Sequence, residues 1–237
     1  MTRLYLVRHG RTAANEAGRV MGHEPEPLSE AGRREVAALA TWLAAQAPFA
    51  AIVTSQMERA RETCEAIATA LGQAYGFEPA LNEPAFDGWV GKSIELLRRD
   101  DARFRRYIVD PTDVRVEGEL TLRSLVARAV RAVHRLARDH EARSIIAVSH
   151  GDIVRGIVAS YVGISLDGLG RLAVATASAS VLELAPSGSG RLALLNWVPA
   201  SPHLETARVA PEFRSAPAPS VALPPAPGNV PLPPGSA

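Results

Sequence analysis

The sequence predicts an α/β fold: a three-layer α/β/α sandwich with helices on both faces of a mostly parallel, mixed sheet. Three observations predict it. Short apolar runs rich in β-formers end abruptly at chemically active residues, in LYLV-RHG, AIVT-S and IIAV-SHG. A helix-length segment follows each run. Alternation of strand and helix makes the strands parallel, so their carboxyl ends lie along one edge of one sheet. Ligands in such sheets bind outside that edge. Arg8, His9, Ser55, Arg59 and His150 should therefore converge there from across the chain.

Leu4 to Val7 form the first strand, which ends at Arg8, His9 and Gly10. Residues 11 to 28 are a polar loop containing Gly and Pro. A helix from about Ser29 to Gln46 follows, with Ser29 as N-cap and Val36, Leu39, Ala40 and Leu43 as its apolar stripe. Ala51 to Thr54 make the second strand, and MERARETCEAIATALG the next helix, closed at Gly72. Residues 76 to 92 hold a short extended stretch and the loop LNEPAFDGWVGKS; residues 93 to 117 allow one or two short helices. A long helix runs from about Gly118 to His140, burying Leu122, Leu125, Val126, Ala129, Val133 and Leu136. Ser144 to Val148 form the third strand, ending at Ser149, His150 and Gly151, with a helix from Asp152 to about Val162. Ser178 to Leu184 and Arg191 to Trp197 read as a hairpin. From about residue 206 proline is too dense for helix or sheet, which predicts a disordered Pro/Ala-rich tail over 206–237. The domain boundaries are thus 1–205 for the folded unit, with a small cap inserted at about 84–117.

Composition narrows the function. Of 237 residues 47% are hydrophobic, enough for a sizeable core, and the formal net charge is +1. A broad basic field for nucleic acid is absent, so an anionic ligand must be held by a local arginine cluster. Cys64 is the only cysteine, which excludes an internal disulfide and a multi-cysteine metal site. MTRLYLV shows no signal-peptide pattern and no run is apolar enough to span a bilayer, so the expected location is the cytoplasm, with no membrane partner.

Attack on a phosphomonoester needs a nucleophile, cations for the equatorial oxygens and an acid for the leaving alcohol. His9, at a strand end, is the nucleophile candidate, because neutral imidazole can carry a phosphoryl group. Arg8, Arg59 and a protonated His150 are the expected cradle, since guanidinium forks match phosphate oxygens.

LVRHGRTAAN resembles the signature of the histidine phosphatase superfamily, which includes the cofactor-dependent phosphoglycerate mutases. TSQMERARET, VSHG and LNEPAFDGWVGKS are similar to three further blocks of that family, and PLSEAG and GEL to two weaker ones, over about residues 3 to 200. The resemblance implies a phosphoglycerate mutase-like fold and a two-step mechanism. His9 attacks phosphorus while Glu83 protonates the leaving oxygen; water then attacks the phosphohistidine with Glu83 as base. Arg8, Asn15, Arg59, His150 and Gly151 would bind the phosphoryl group of a small phosphorylated metabolite, with no metal and no cofactor.

Three readings follow. The first is a metal-independent phosphatase. The second is a cofactor-dependent phosphoglycerate mutase, disfavoured because Arg11 stands where such relatives carry glutamate. The third is a non-catalytic phospho-ligand binding protein, disfavoured because the whole residue set is present. Asp87, Val90 and Leu120 also depart from the family pattern and blur the pocket. Arg11, Arg103, Arg105 and Arg106 are candidates for a second anionic group, with solvated surface as the simpler reading of each. His23 is read as a solvated loop residue with a contact at the pocket rim as the alternative, His134 and His140 as surface, Cys64 and the three tryptophans as packing. The oligomeric state is not readable.

Overall fold

The structure is a computed structural model and describes residues 1–199; the expected tail at 206–237 lies outside the described residues. Its main sheet has six strands: β1 (Thr2–Arg8), β2 (Ala51–Thr54), β3 (Gly76–Phe77), β6 (Ser144–Ser149), β7 (Ala179–Leu184) and β8 (Gly190–Trp197). The spatial order is β3-β2-β6-β1-β7-β8. β1, β2, β3 and β6 are parallel, and β7 and β8 add an antiparallel hairpin beside β1. The intervening strands β4 (Arg115–Glu117) and β5 (Leu120–Thr121) form a separate two-stranded ribbon.

Register decides the position of the site. Arg8 pairs with Ser149 across β1 and β6, and Thr54 with Val148 across β2 and β6. Three strands therefore finish level, and His9, Ser55 and His150 leave the sheet at the same edge.

Side chains alternate between the two faces as the pleat requires. Leu4, Leu6, Ile145 and Ala147 face one cluster, shared with the long helix α6 (Leu122–Asp139) and with α7 (Gly151–Val162). Tyr5, Val7, Ile146 and Val148 face the other, shared with α2 (Glu30–Ala44) and α3 (Glu58–Leu71). These are the three expected layers. α2 begins where Ser29 Oγ accepts from the Gly32 N–H at 3.1 Å, and α3 ends on Gly72 in the left-handed region, φ 62°. Among the described residues, no helix is long and apolar enough to cross a membrane.

Two element boundaries differ from expectation. The loop at 11 to 28 contains a short helix, α1 (Ala13–Glu16), because Thr12 and Asn15 form a reciprocal capping box. The long helix starts at Leu122 rather than Gly118, because Gly118 takes φ 54° and turns the chain through the β4-β5 ribbon. Residues 93 to 117 contain two short helices, α4 (Ile94–Asp100) and α5 (Ala102–Val109), followed by β4. Their buried residues Leu97, Phe104 and Tyr107 join the α6–α7 cluster around the fully buried Trp89.

Candidate active site

His9 sits one residue past β1 with its backbone held on both sides. Its N–H donates to Ser149 O at 3.0 Å and its carbonyl accepts from Ala177 N–H at 3.0 Å. His9 Nδ1 lies 2.7 Å from Gly10 O. A carbonyl can only accept, so Nδ1 carries the proton and Nε2 keeps its lone pair. Nε2 is buried and has no hydrogen-bond partner. Gly10 packs tightly here: a Cβ on it would stand 2.5 Å from Val36 Cγ2.

His150 follows β6, its ring centroid 5.2 Å from that of His9. Its Nε2 is 2.6 Å from Ser55 Oγ, at the end of β2, and Ser55 Oγ also accepts from Met57 N–H at 3.2 Å. His150 Nδ1 faces Glu83 Oε2 at 3.4 Å. Arg59, in the first turn of α3, is fully buried; it donates from NH2 to Gly22 O at 2.8 Å and reaches Glu83 Oε2 at 3.9 Å. Its Nε and NH1 have no partner. An unsatisfied buried donor typically costs about 1–3 kcal/mol, so these atoms favour an anionic acceptor. Arg8 is anchored by Val174 O at 2.6 Å, and a Cβ on Gly151 would stand 3.3 Å from the Arg8 Cζ. Gly151 thus leaves the guanidinium room at the start of α7, where the helix N-terminus adds positive potential.

Glu83 is in a loop, yet that loop is fixed at successive residues. Ser149 Oγ donates to Leu81 O at 2.7 Å, Arg128 NH2 to Asn82 O at 3.2 Å, and His23 Nε2 to Glu83 O at 2.7 Å. Asn82 Oδ1 accepts from Gln56 N–H at 2.9 Å. The carboxyl is therefore aimed by four other segments of the chain.

Electrostatics assign the protons. Burial, reinforced by Arg59 and Arg8, holds His9 well below its ordinary value, so it stays neutral. Burial and the Asp152 carboxylate raise Glu83 to about 7, against the opposing pull of Arg59, Arg8 and Arg155. A proton-bearing carboxyl beside a neutral imidazole is thus available near neutral pH. The expected protonated His150 is corrected: burial first, then Arg59, His9 and Arg8, push it well below 6.5 and keep it neutral. Positive charge at the site comes from the two arginines.

One ligand atom each from His9, Glu83 and His150 lies within 4.8 Å of the others, a spacing that could hold a metal ion. Yet Arg8 and Arg59 act on both imidazoles and resist their protonation. Two guanidiniums beside these side chains suit an anionic group at the site.

The remaining expectations divide. Asn15 lies in the loop after His9, but its Oδ1 accepts from Thr12 N–H at 3.1 Å, so only its amide NH2 can meet a ligand. Arg11 pairs with Glu35 at 2.7 Å, Arg103 stacks 4.2 Å over the Trp89 ring, Arg105 donates to Arg99 O, and Arg106 lies near Asp110 and Asp113. None of these four contacts His9 or Glu83. His23 is an exposed loop residue as expected, and its Nε2 also contacts the Glu83 carbonyl; His134 is corrected from plain surface to a residue whose Nε2 is buried against Tyr161. Sequence reasoning missed Ser149, Arg128 and Gln56 as supports of Glu83, since single hydrogen bonds to distant carbonyls leave no periodic signal.

A family model described as histidine phosphatase superfamily (branch 1) matches residues 4–198. An adenosylcobalamin/alpha-ribazole phosphatase of Salmonella typhi is 31% identical over 198 residues, covering 82% of this chain and 96% of that protein. A bifunctional protein of Mycobacterium tuberculosis is 31% identical over 196 residues, covering 82% of this chain and 54% of that protein. The chain therefore spans about half the length of the mycobacterial relatives it matches. The solved structure of YhfR from Bacillus stearothermophilus matches with a TM-score of 0.74 at 28% identity, covering 82% of this chain and 96% of that one.

Proposed function

The chain belongs to the histidine phosphatase superfamily, branch 1, and on that premise we propose that it hydrolyses small phosphomonoesters without a metal, through a phosphohistidine on His9. The observation that carries this reading is the unpartnered His9 Nε2, set in a buried site with the unpartnered Arg59 Nε and NH1 and the proton-bearing Glu83. The lone pair on Nε2 attacks phosphorus. The bond to the ester oxygen breaks, and that oxygen takes the Glu83 proton as it leaves. The positive charge gained by the ring is spread through Nδ1–H to the Gly10 carbonyl. Water next attacks phosphorus and gives a proton to the Glu83 carboxylate, and the P–N electron pair returns to Nε2. Arg8, Arg59, the Asn15 amide and the N-terminus of α7 at Gly151 hold the phosphoryl oxygens. Ser55 Oγ, 2.6 Å from His150 Nε2, holds the ring so that Nδ1 faces the Glu83 carboxyl.

Residues 84–117 act as the cap that shapes the pocket for the alcohol part of the substrate, and the enzyme works in the cytoplasm. The phosphoglycerate mutase reading finds less support. Arg11, Arg103, Arg105 and Arg106 are each engaged elsewhere rather than grouped for a second phosphate. The test is phosphate release from a panel of phosphomonoesters with EDTA, comparing wild type with His9→Ala. Release that ignores EDTA and vanishes in the variant is expected. Isomerised phosphoglycerate without release would establish the mutase, and silence in both assays the binding protein.

A further inference from the structure

Thr63 has no part in the chemistry described above, yet it touches two of the segments that perform it. It is fully buried on α3, one turn after Arg59. Its Oγ1 lies 2.7 Å from Arg59 O and 3.0 Å from the Gly10 nitrogen. A carbonyl only accepts and an amide N–H only donates, so the hydroxyl gives its proton to Arg59 O and receives the Gly10 N–H. The first bond is one that threonines in helices commonly make. The second is not local, because it crosses from α3 to the segment that follows β1. The peptide joining His9 to Gly10 is thereby held at both ends, its carbonyl by Ala177 N–H at 3.0 Å and its N–H by Thr63. The other side of Gly10 is closed, since a Cβ there would stand 2.5 Å from Val36 Cγ2 and 3.0 Å from Gly32 O. Gly10 O is also the partner of His9 Nδ1, so the placing of Gly10 sets the direction of the imidazole.

We propose that Thr63 is a positioning residue whose single hydroxyl sets the His9 ring against the Arg59 turn of α3, so that lone pair and cation meet the same phosphoryl group. The inference rests on the proposed role of His9 as nucleophile. The two groups come from different elements, a strand end and a helix, and each has buried atoms without a partner: Nε2 on His9, Nε and NH1 on Arg59. Holding a phosphate asks only that the cations surround it. Attack asks in addition that Nε2 stand in line with the breaking bond, and a misplacement of about 1 Å can cost roughly a hundredfold in rate. The Thr63 hydroxyl should therefore matter greatly to attack and little to phosphate binding.

The test compares Thr63→Val, which keeps the shape and loses the hydroxyl, with Thr63→Ser, which keeps the hydroxyl. Three readouts are taken on the full chain. Single-turnover phosphorylation by p-nitrophenyl phosphate reports attack without calling on Glu83. Calorimetric affinity for orthovanadate reports the placing of the nucleophile, which becomes the fifth ligand of vanadium, and affinity for inorganic phosphate reports the cradle alone. Thr63→Val should phosphorylate roughly ten- to a hundredfold more slowly and bind vanadate about tenfold more weakly, with phosphate affinity within about twofold. Thr63→Ser should restore all three. Lowered thermal stability with an unchanged rate per folded molecule overturns the inference, and so does an equal loss of vanadate and phosphate affinity. Should Thr63→Val not fold, Thr63→Cys replaces it, a thiol being a weaker donor and acceptor; attack at the wild-type rate in that variant also overturns the inference. If the wild type forms no phosphohistidine and holds vanadate no more tightly than phosphate, the nucleophile reading falls instead. Nitrogen-15 NMR of the His9 ring then decides the role of Thr63. An Nδ1 signal that moves in Thr63→Val and returns in Thr63→Ser upholds it, and one that stays put ends it.

Discussion

Glu83→Gln separates proton affinity from shape, because the two side chains are nearly isosteric. Glu83 is 7% exposed and its carboxyl is raised from 4.5 to about 7. The folded protein therefore binds the proton more tightly than the unfolded chain does. The resulting penalty is absent below about pH 4.5, grows as pH rises, and is complete above about pH 7. At ~1.4 kcal/mol per pH unit it amounts to about 3 kcal/mol of stability withheld at alkaline pH. Glutamine carries no such penalty. Between about pH 5 and about pH 8 the stability of Glu83→Gln relative to wild type should rise by about 2 kcal/mol. With an m-value of about 2 kcal/mol/M, the gap between their urea midpoints should widen by about 1 M. The assay is urea unfolding of both proteins at the two pH values, followed by tryptophan fluorescence. A gap that does not change with pH would mean that Glu83 ionises at its ordinary value and that the proton assignment is wrong. The same variant should lose on the order of 10²–10⁴ in single-turnover phosphorylation by an alkyl phosphate. It should lose far less with p-nitrophenyl phosphate, whose phenolate leaves without a proton.

Other changes test other parts. His9 and His150 both resist protonation when folded, so stability present above pH 6.5 should fall as pH drops below it; His150→Asn should flatten that fall, and an unchanged acid slope would count against a neutral His150. Ser55→Ala removes the 2.6 Å bond to His150 and should lower kcat roughly tenfold while the fold survives, with unaltered turnover as the adverse result. Gly156→Ala would place a Cβ 2.2 Å from Val126 Cγ2 between α7 and α6, costing about 1–3 kcal/mol; thermal unfolding reads it, Val126→Ala should restore part of the loss, and an unmoved Tm would show that the helices part freely.

The three strands that end at the site were legible because each is a short apolar run stopped by a polar residue, and their parallel pairing follows from the helices between them. Their register, Arg8 with Ser149 and Thr54 with Val148, turned that pattern into convergence of His9, Ser55 and His150. α1 is too short for periodicity, although Thr12 and Asn15 carried a capping signal three residues apart. The start of α6 was misplaced because its apolar stripe says nothing about the positive φ of Gly118 or the Ser124 hydroxyl that accepts from Thr121 N–H. Glu83 was reached through family resemblance alone, since its pins are single bonds from Ser149, Arg128 and His23. The protonation of His150 depends on burial, which no spacing in the chain reveals.

The nucleophile and the proton donor are attached to the molecule in different ways. His9 stands one residue past an interior strand of the six-stranded sheet, with a backbone bond to Ser149 on one side and to Ala177 on the other. Its amide should exchange with solvent only when the whole sheet opens. Glu83 is held by side-chain bonds to a loop, which a smaller opening can release. As denaturant rises, amide protection around residues 81–91 should disappear before that of β1, and a population should form that still holds an intact histidine but has lost its acid. Partial unfolding of this protein would then arrest the reaction by stages, beginning with the group that moves protons.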